Sequence, residues 1–345
     1  MLGGGTFVTQ NKVLPGSYIN VVSTQNTSST VADRGTVAIA LALNKAPDTV
    51  IEITKSQFLT NSTNILGITY NSAEARPLRE IFCHASKVIV YDLGTDGTVA
   101  EAINAFEAYD FNVLCAYTDV ADDVSAYIAA VKNWRDIVGK KCQVVVYSQT
   151  NPDHEGVINV VSTISDTDVE LYALVAWVAG AEAGCRINES CTNKLYDGEL
   201  NPVTTRTQAE LESCITNGQI AFHLVYGEIR MLEDINSLKS TTADKGDDFK
   251  SNQTIRVADQ IVNDIAKLYN TKYLGRVPNN KSGRAGLWAD IVAHHRKLED
   301  IQAIENFDAN QLIVEQGDTK KSVVVYDVIT IVNSMAQLYM TVVVQ

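Results

Sequence analysis

The chain is short of several things, and each shortage closes a functional class. Basic charge is scarce: 28 lysines and arginines stand against 41 aspartates and glutamates, a formal net charge of −13. A nucleic-acid face needs a dense basic patch, so that class of partner is excluded. Cysteine is scarce too, six in 345 residues at irregular spacings. That is too few for a disulfide scaffold, and the thiols read as buried and free in a reducing cytosol. The longest apolar run, 171–181, lies between Glu170 and Glu182 and is too short to cross a bilayer, so no direct membrane insertion is expected. The opening MLGGGTFVTQ has neither a charged n-region nor an apolar h-region, and no signal peptide is expected.

Catalytic motifs are equally scarce. The sequence GTDG at 94–97 sits where a phosphate loop would lie, after a strand and before a helix. It has neither G-x-x-x-x-G-K-[ST] nor G-x-G-x-x-G, and reads as a turn with Asp96 or Thr98 capping the helix. His154, flanked by Asp153 and Glu155, resembles an acid/base cluster but reads as an exposed loop after Asn151-Pro152. His294-His295 lacks the i, i+4 pairing of a zinc helix; His295 falls on an apolar face as a packed core histidine, and His294 lies off it. Cys185 and Cys191 lack the close C-x-x-C pairing of a zinc site, and no G-x-S-x-G elbow occurs. No catalytic, metal or cofactor residue is assigned, and the chain is expected not to be an enzyme.

What is present is a foldable chain. Hydrophobic residues at 46% and charged residues at 20% describe a globular protein long enough for one large core or two to three ordinary ones. Strands are expected at 36–43 and 49–53, with a third at 65–70, and Asn/Ser clusters punctuate 26–30 and 60–64. From 86 to 185 apolar strands (87–92, 112–118, 143–148, 157–161) alternate with helical patterns led by Val99 and Val124. A nearly all-apolar helix follows at 169–183. Such alternation predicts a mixed, largely parallel sheet with right-handed crossovers. Beyond it a helix is expected at 208–216, strands at 220–228 and 229–232, and a polar connector at 237–248. Two strong helices follow at 254–273 and 287–304, separated by a loop at 275–286. The expected organisation is an arm (1–23), a β-rich region that is a small domain or part of the main core (24–85), an α/β domain (86–185), a C-terminal α+β domain (186–321) and a second arm (322–345). No repeat of fixed period appears.

Both arms are written as strands with no partner beside them. In the first, Ser17, Tyr18, Ile19, Asn20, Val21 and Val22 follow Leu14-Pro15-Gly16. In the second, Tyr339, Met340, Thr341, Val342, Val343 and Val344 run almost to the final residue. Terminal segments are usually frayed and polar. An apolar strand at a chain end exposes unpaired N–H and C=O groups and is expected to complete a sheet, in its own chain or in another copy of it.

Several stretches in fixed order resemble one known family. They are Pro15-Gly16-Ser17-Tyr18-Ile19 with Arg34-Gly35-Thr36-Val37-Ala38, AWVAGAEAG at 176–184, and NESCTNK at 188–194. Further on come EDINSL at 233–238, YLGRVPN at 273–279 and QLYMTV at 337–342. Together they resemble the sheath proteins of contractile phage tails and of contractile phage-tail-like bacteriocins. The resemblance implies a structural subunit that stacks as six-fold rings around an inner tube and contracts to drive the tube through a cell envelope. It implies that both arms add strands to a neighbour's C-terminal domain, and that partners are other copies, the tail tube, and baseplate and terminator proteins. It implies assembly in the bacterial host cytoplasm and residence in a released virion tail or phage-tail-like particle. For the tube contact it points to a C-terminal-domain helix, here 287–304, with Arg284, Arg296 and Lys297 either as cationic contacts or as a solvated charged face. Two other readings stay open on the residues: a self-assembling tube or shell protein of constant length, and a soluble α/β enzyme whose ends pair internally.

Overall fold

The computed structural model of the chain describes residues 34–344 apart from residue 44. The arm expected at Ser17, Tyr18, Ile19, Asn20, Val21 and Val22 lies outside the described residues. One seven-stranded sheet dominates. Its strands are β1 (Thr36–Leu41), β2 (Thr49–Thr54), β3 (Lys87–Asp92), β4 (Val113–Cys115), β5 (Gln143–Tyr147), β6 (Val157–Val160) and β7 (Gln219–Ile220). Their order is β2-β3-β1-β4-β5-β6-β7, parallel throughout except for β2, which runs antiparallel to β3.

Alternation along a strand sends successive side chains to opposite faces, and here both faces are covered. From β1, Val37, Ile39 and Leu41 enter one core with α1 (Lys55–Leu66), α2 (Arg76–Phe82) and α5 (Leu174–Gly184). Ala38 and Ala40 enter the other core with α3 (Val99–Phe106) and α4 (Ala121–Asn133). Double burial is why these strands read as continuous apolar runs.

Two expectations are corrected here. The stretch 65–70 is not a strand, because Ile65 and Leu66 end α1, and Gly67 turns the chain at φ 76°. The Asn/Ser cluster at 60–64 lies inside that helix. Phe58, Ser62 and Leu66 recur every four residues on its buried side, and Thr54 with Gln57 forms a capping box at its start. Burial of that one face outweighs the weak helix propensity of Ser, Asn and Thr. Within the region read as a small domain or part of the main core, β1 and β2 are strands of this same sheet. The apolar helix starts at Leu174, not 169, and α6 (Gln208–Thr216) falls where expected.

Past the sheet the elements become small. The hairpin β8 (Phe222–Val225) and β9 (Glu228–Met231) precedes α7 (Asn252–Leu268), which a π-helical turn extends through Tyr269–Tyr273. The helix α8 (Lys281–Asp300) begins earlier than its apolar pattern predicts, because Asn280 caps it by accepting a hydrogen bond from Gly283 N. The rest is two antiparallel pairs: β10 (Ile304–Glu305) with β13 (Thr330–Ile331), and β11 (Ile313–Gln316) with β12 (Val323–Tyr326).

A polar seam joins α7 to the sheet body. Arg135 forms a two-bond pair with Asp259 at 2.6 and 2.8 Å, and Gln143 donates to Asn252 at 3.0 Å. Arg256 reaches Glu182 at 2.6 Å and Asp234 at 3.1 Å, all three side chains being buried. Two buried carboxyls share one guanidinium. Burial and the nearby Asp234 push the Glu182 carboxyl well up; burial would also raise Asp234, but Arg256 and its hydrogen-bond donors hold it down.

Candidate assembly surface

The suspected chemical sites resolve into structural ties. In the GTDG turn Thr98 caps α3 with Glu101, so of the two candidate caps Thr98 is the one used. The turn's backbone is already committed. The buried Asp92 carboxylate accepts from the N–H groups of Leu43, Lys45, Ala46 and Gly94 at 2.8–3.0 Å. Burial alone would raise that carboxyl, but these donors outweigh it and keep it below its ordinary range. A fixed negative charge where a phosphate would sit repels one.

His154 is buried, which corrects the expected exposed loop. Its Nε2 lies 3.2 Å from Asp136 Oδ2 and 3.7 Å from Glu155 Oε2, and Lys245 Nζ bonds Glu155 at 2.7 Å. Burial opposes ionisation of Asp136, yet the bond to His154 and the charge of Lys245 bring it down to about 2. The reason for the burial is tertiary: the 237–248 connector folds over the loop, with Ser237 bonding His154 through both backbone groups. Acidic groups converge here, and again at Glu182, Cys191 and Asp234. In each cluster a cationic side chain pairs with carboxylates, Lys245 with Glu155 at 2.7 Å and Arg256 with Glu182 and Asp234 at 2.6 and 3.1 Å.

His295 is fully buried on α8, with Nε2 2.5 Å from Asp327 and its ring edge-on to Phe307. His294 faces Asp264 of α7 at 3.3 Å, and burial lowers its pKa. The pair ties α8 to α7 and to the β12–β13 link.

The exposed features lie elsewhere. After β13 the chain is held for three residues. Val332 N donates to Ala303 O, Asn333 exchanges bonds with Thr254, and Ser334 N donates to Gln253 Oε1 at 2.9 Å. Every residue from 335 to 344 is then exposed, and none of them lies in a strand. Met335, Leu338, Tyr339, Met340, Val342, Val343 and Val344 are 70–102% exposed. Seven large apolar side chains in ten residues is an unusual concentration to leave in water, since burying one yields about 1.5–3 kcal/mol. Nearby, β11 and β12 pair only with each other among the described residues, so each keeps an open outer edge. Ile313, Val325 and Tyr326 on this pair are exposed. An isolated two-stranded ribbon is marginal by itself and is ready to accept another strand.

The three cations proposed for a tube contact do not form one patch. Arg284 is turned onto its own helix start, donating to Asn279 O and Oδ1 at 3.3 and 2.9 Å. Arg296 and Lys297 lie twelve and thirteen residues further, about 18–20 Å along the axis. Arg296 pairs with Glu299 at 2.5 Å and stacks over Phe307, while Lys297 is exposed. The buried face of α8 carries Leu287, Ile291, His295 and Leu298; Trp288 is half out and donates to Leu312 O.

Comparison with known proteins gives a consistent result. Residues 95–237 match the phage tail sheath protein central domain, and residues 244–345 match the phage tail sheath C-terminal domain. The tail sheath protein of Clostridium phage phiCD119 is 26% identical over 247 residues, covering 71% of this chain and 66% of that relative. The chain spans about half the length of two further curated relatives, both from Bacillus subtilis (strain 168). The crystal structure of a sheath tail protein from Desulfitobacterium hafniense superposes with a TM-score of 0.75 at 25% identity, over 87% of this chain and 93% of that one. The anti-feeding prophage helical sheath in its contracted state shares the fold at a TM-score of 0.72 and 14% identity, over 96% of this chain and 99% of that one. Among the described residues, no helix is long and apolar enough to cross a membrane.

Proposed function

The chain belongs to the phage tail sheath family, and from that premise we propose that it is the subunit of a contractile sheath, polymerising as stacked six-fold rings around an inner tube. The observation that carries this reading is the exposed apolar segment 335–344, anchored at 332–334 and lying in no strand. Laid along an open edge such as that of β11 or β12 in another copy, it would bury its Val and Tyr side chains and form ladder hydrogen bonds. Each such bond contributes about 0.5–1.5 kcal/mol net. A head-to-tail contact of this kind that does not close on itself propagates as a helical filament.

Contraction then needs no nucleotide, because a metastable lattice can move downhill into a more compact one. The energy would come from new contacts between copies of the α/β body, with the segments keeping the mesh joined. Further partners are the tail tube, baseplate and terminator proteins. Assembly would take place in the host cytoplasm before release in a virion tail or phage-tail-like particle. On the tube side, Lys297 with Arg296 would give screened contacts of about 0–1 kcal/mol each, weak enough to release.

The test is negative-stain electron microscopy of the full chain beside a chain ending at Ser334. That cut spares β12, β13 and Asp327, so folding of the rest is left alone. Hollow rods from the full chain and only dispersed particles from the shortened one would support the proposal. Rods from both, or from neither at high concentration, would overturn the role given to 335–344.

A further inference from the structure

Four ionisable side chains form one line from α7 through α8 to the β12–β13 link. Asp264 Oδ2 lies 3.3 Å from His294 Nε2, and His294 Nδ1 lies 3.0 Å from His295 Nδ1. His295 Nε2 then lies 2.5 Å from Asp327 Oδ2. All four ring nitrogens thus take part in these three contacts. The His295 side chain is fully buried, and those of His294 and Asp264 are each only 11% exposed.

Each contact joins two atoms that carry lone pairs, so each needs one proton to be attractive. Two neutral imidazoles supply two protons, one per ring. A third is required. Without it, either the two Nδ1 lone pairs oppose each other or a ring lone pair opposes a carboxylate oxygen, inside a site where unmade hydrogen bonds are costly. The surroundings supply no other positive charge. Asp264 Oδ1 accepts from Gln260 Nε2 at 3.0 Å, and Asp327 Oδ1 is buried and accepts no hydrogen bond among the described residues. Among those residues neither carboxylate pairs with a lysine or arginine. On the far side of His295, Phe307 meets its ring edge-on, and Arg296 stacks over Phe307 while engaged with Glu299.

We propose that Asp264, His294, His295 and Asp327 share one proton beyond the two of neutral imidazoles, and that this proton latches the β12–β13 link to α8. Burial opposes a charge on His294, so the extra proton belongs between His295 and Asp327, where the contact is shortest. With it in place, His295 donates to both Asp327 and His294, and His294 donates to Asp264. Asp327 lies just before β13, which pairs with β10 and leads into the anchor at 332–334. The native state therefore binds a proton that is lost as pH rises, and its loss turns one of the three contacts repulsive. The link and the anchor beyond it then loosen. The latch is internal to one chain and does not depend on where 335–344 docks.

The test follows backbone hydrogen exchange by mass spectrometry in the dispersed full chain at about pH 6 and about pH 8.5, corrected for the base-catalysed rate of free peptide. Amides at 330–334 should exchange roughly tenfold faster at the higher pH, while those of α3 keep one corrected rate. In chain labelled with nitrogen-15 histidine, the two Nδ1 atoms should couple through their shared proton at the lower pH and lose that coupling at the higher. Asp327→Asn removes the carboxylate that holds the proton, so 330–334 should exchange fast at both pH values. If that variant does not fold, the unsubstituted chain decides. Equal corrected exchange at 330–334 at both pH values would overturn the proposal. So would acceleration spread over the whole chain, absence of coupling between the two rings at the lower pH, or slow exchange at 330–334 in folded Asp327→Asn at the lower pH.

Discussion

Two apolar segments of this chain meet opposite fates. In α5 every residue from 174 to 183 is buried, although the helix carries Val, Leu, Trp and Ala on all sides. At 335–344, an equally apolar segment of Met, Leu, Tyr and Val leaves every residue exposed. The first is covered from both sides. The sheet lies beneath it, and α2 with the residues just after it comes so close that a Cβ on Gly180 would stand 2.3 Å from Ile81 O, and one on Gly184 2.2 Å from His84 O. The second has three anchored residues behind it and, among the described residues, nothing over it. Apolar composition states that burial is favourable. Whether the cover comes from the same chain is a property of the topology, and among the described residues none covers the exposed segment.

The sharpest way to break the contrast is to attack the cover of α5. Gly180→Val forces a side chain into the Ile81 backbone, and chemical denaturation should show a loss of about 4 kcal/mol or more. Next in size, Arg256→Leu strands the buried Glu182 and Asp234 without their cation, at a cost of about 3–5 kcal/mol. Replacing Glu182 and Asp234 with apolar residues in the same chain should recover much of that loss; no recovery would mean that Arg256 acts through its packing alone.

A smaller effect comes from Glu80 on α2, which accepts from Tyr196 Oη and Glu199 N. Burial raises its carboxyl from the ordinary 4.5 to about 7. The native state therefore holds a proton that the unfolded chain has lost between those values. Stability from this group is complete below about 4.5 and declines as pH rises through 7. Glu80→Gln should flatten that decline, gaining on the order of 1–3 kcal/mol at pH 8 in melts across pH. An unchanged slope would place the titration elsewhere. Smallest on stability is removal of 335–344, expected within about 0.5 kcal/mol of the full chain because no described residue covers it. A larger loss would show that the segment is covered internally after all and would dissolve the comparison.

Legibility in the sequence followed periodicity. The strand at 87–92, the helix at 208–216 and the buried character of α5 stand out because each obeys one period without competing signals. The helix α1 did not, since its Ser and Asn residues imitate a turn and its buried positions are only three. The start of α8 was hidden by the Gly-rich stretch that Asn280 caps. For His154 no local signal existed, because residues over eighty positions away bury it.

The sequence by itself determined the α/β class, the family, and the presence of apolar segments that had to be buried somewhere. Those follow from local period and residue order, which act over a turn or a strand. Only the tertiary structure decided that β1 and β2 join the main sheet, that the acidic histidine loop is an internal tie, and that 335–344 is left exposed among the described residues. Long-range packing settles these, because desolvating a charge or covering an apolar side chain depends on which distant residues arrive beside it.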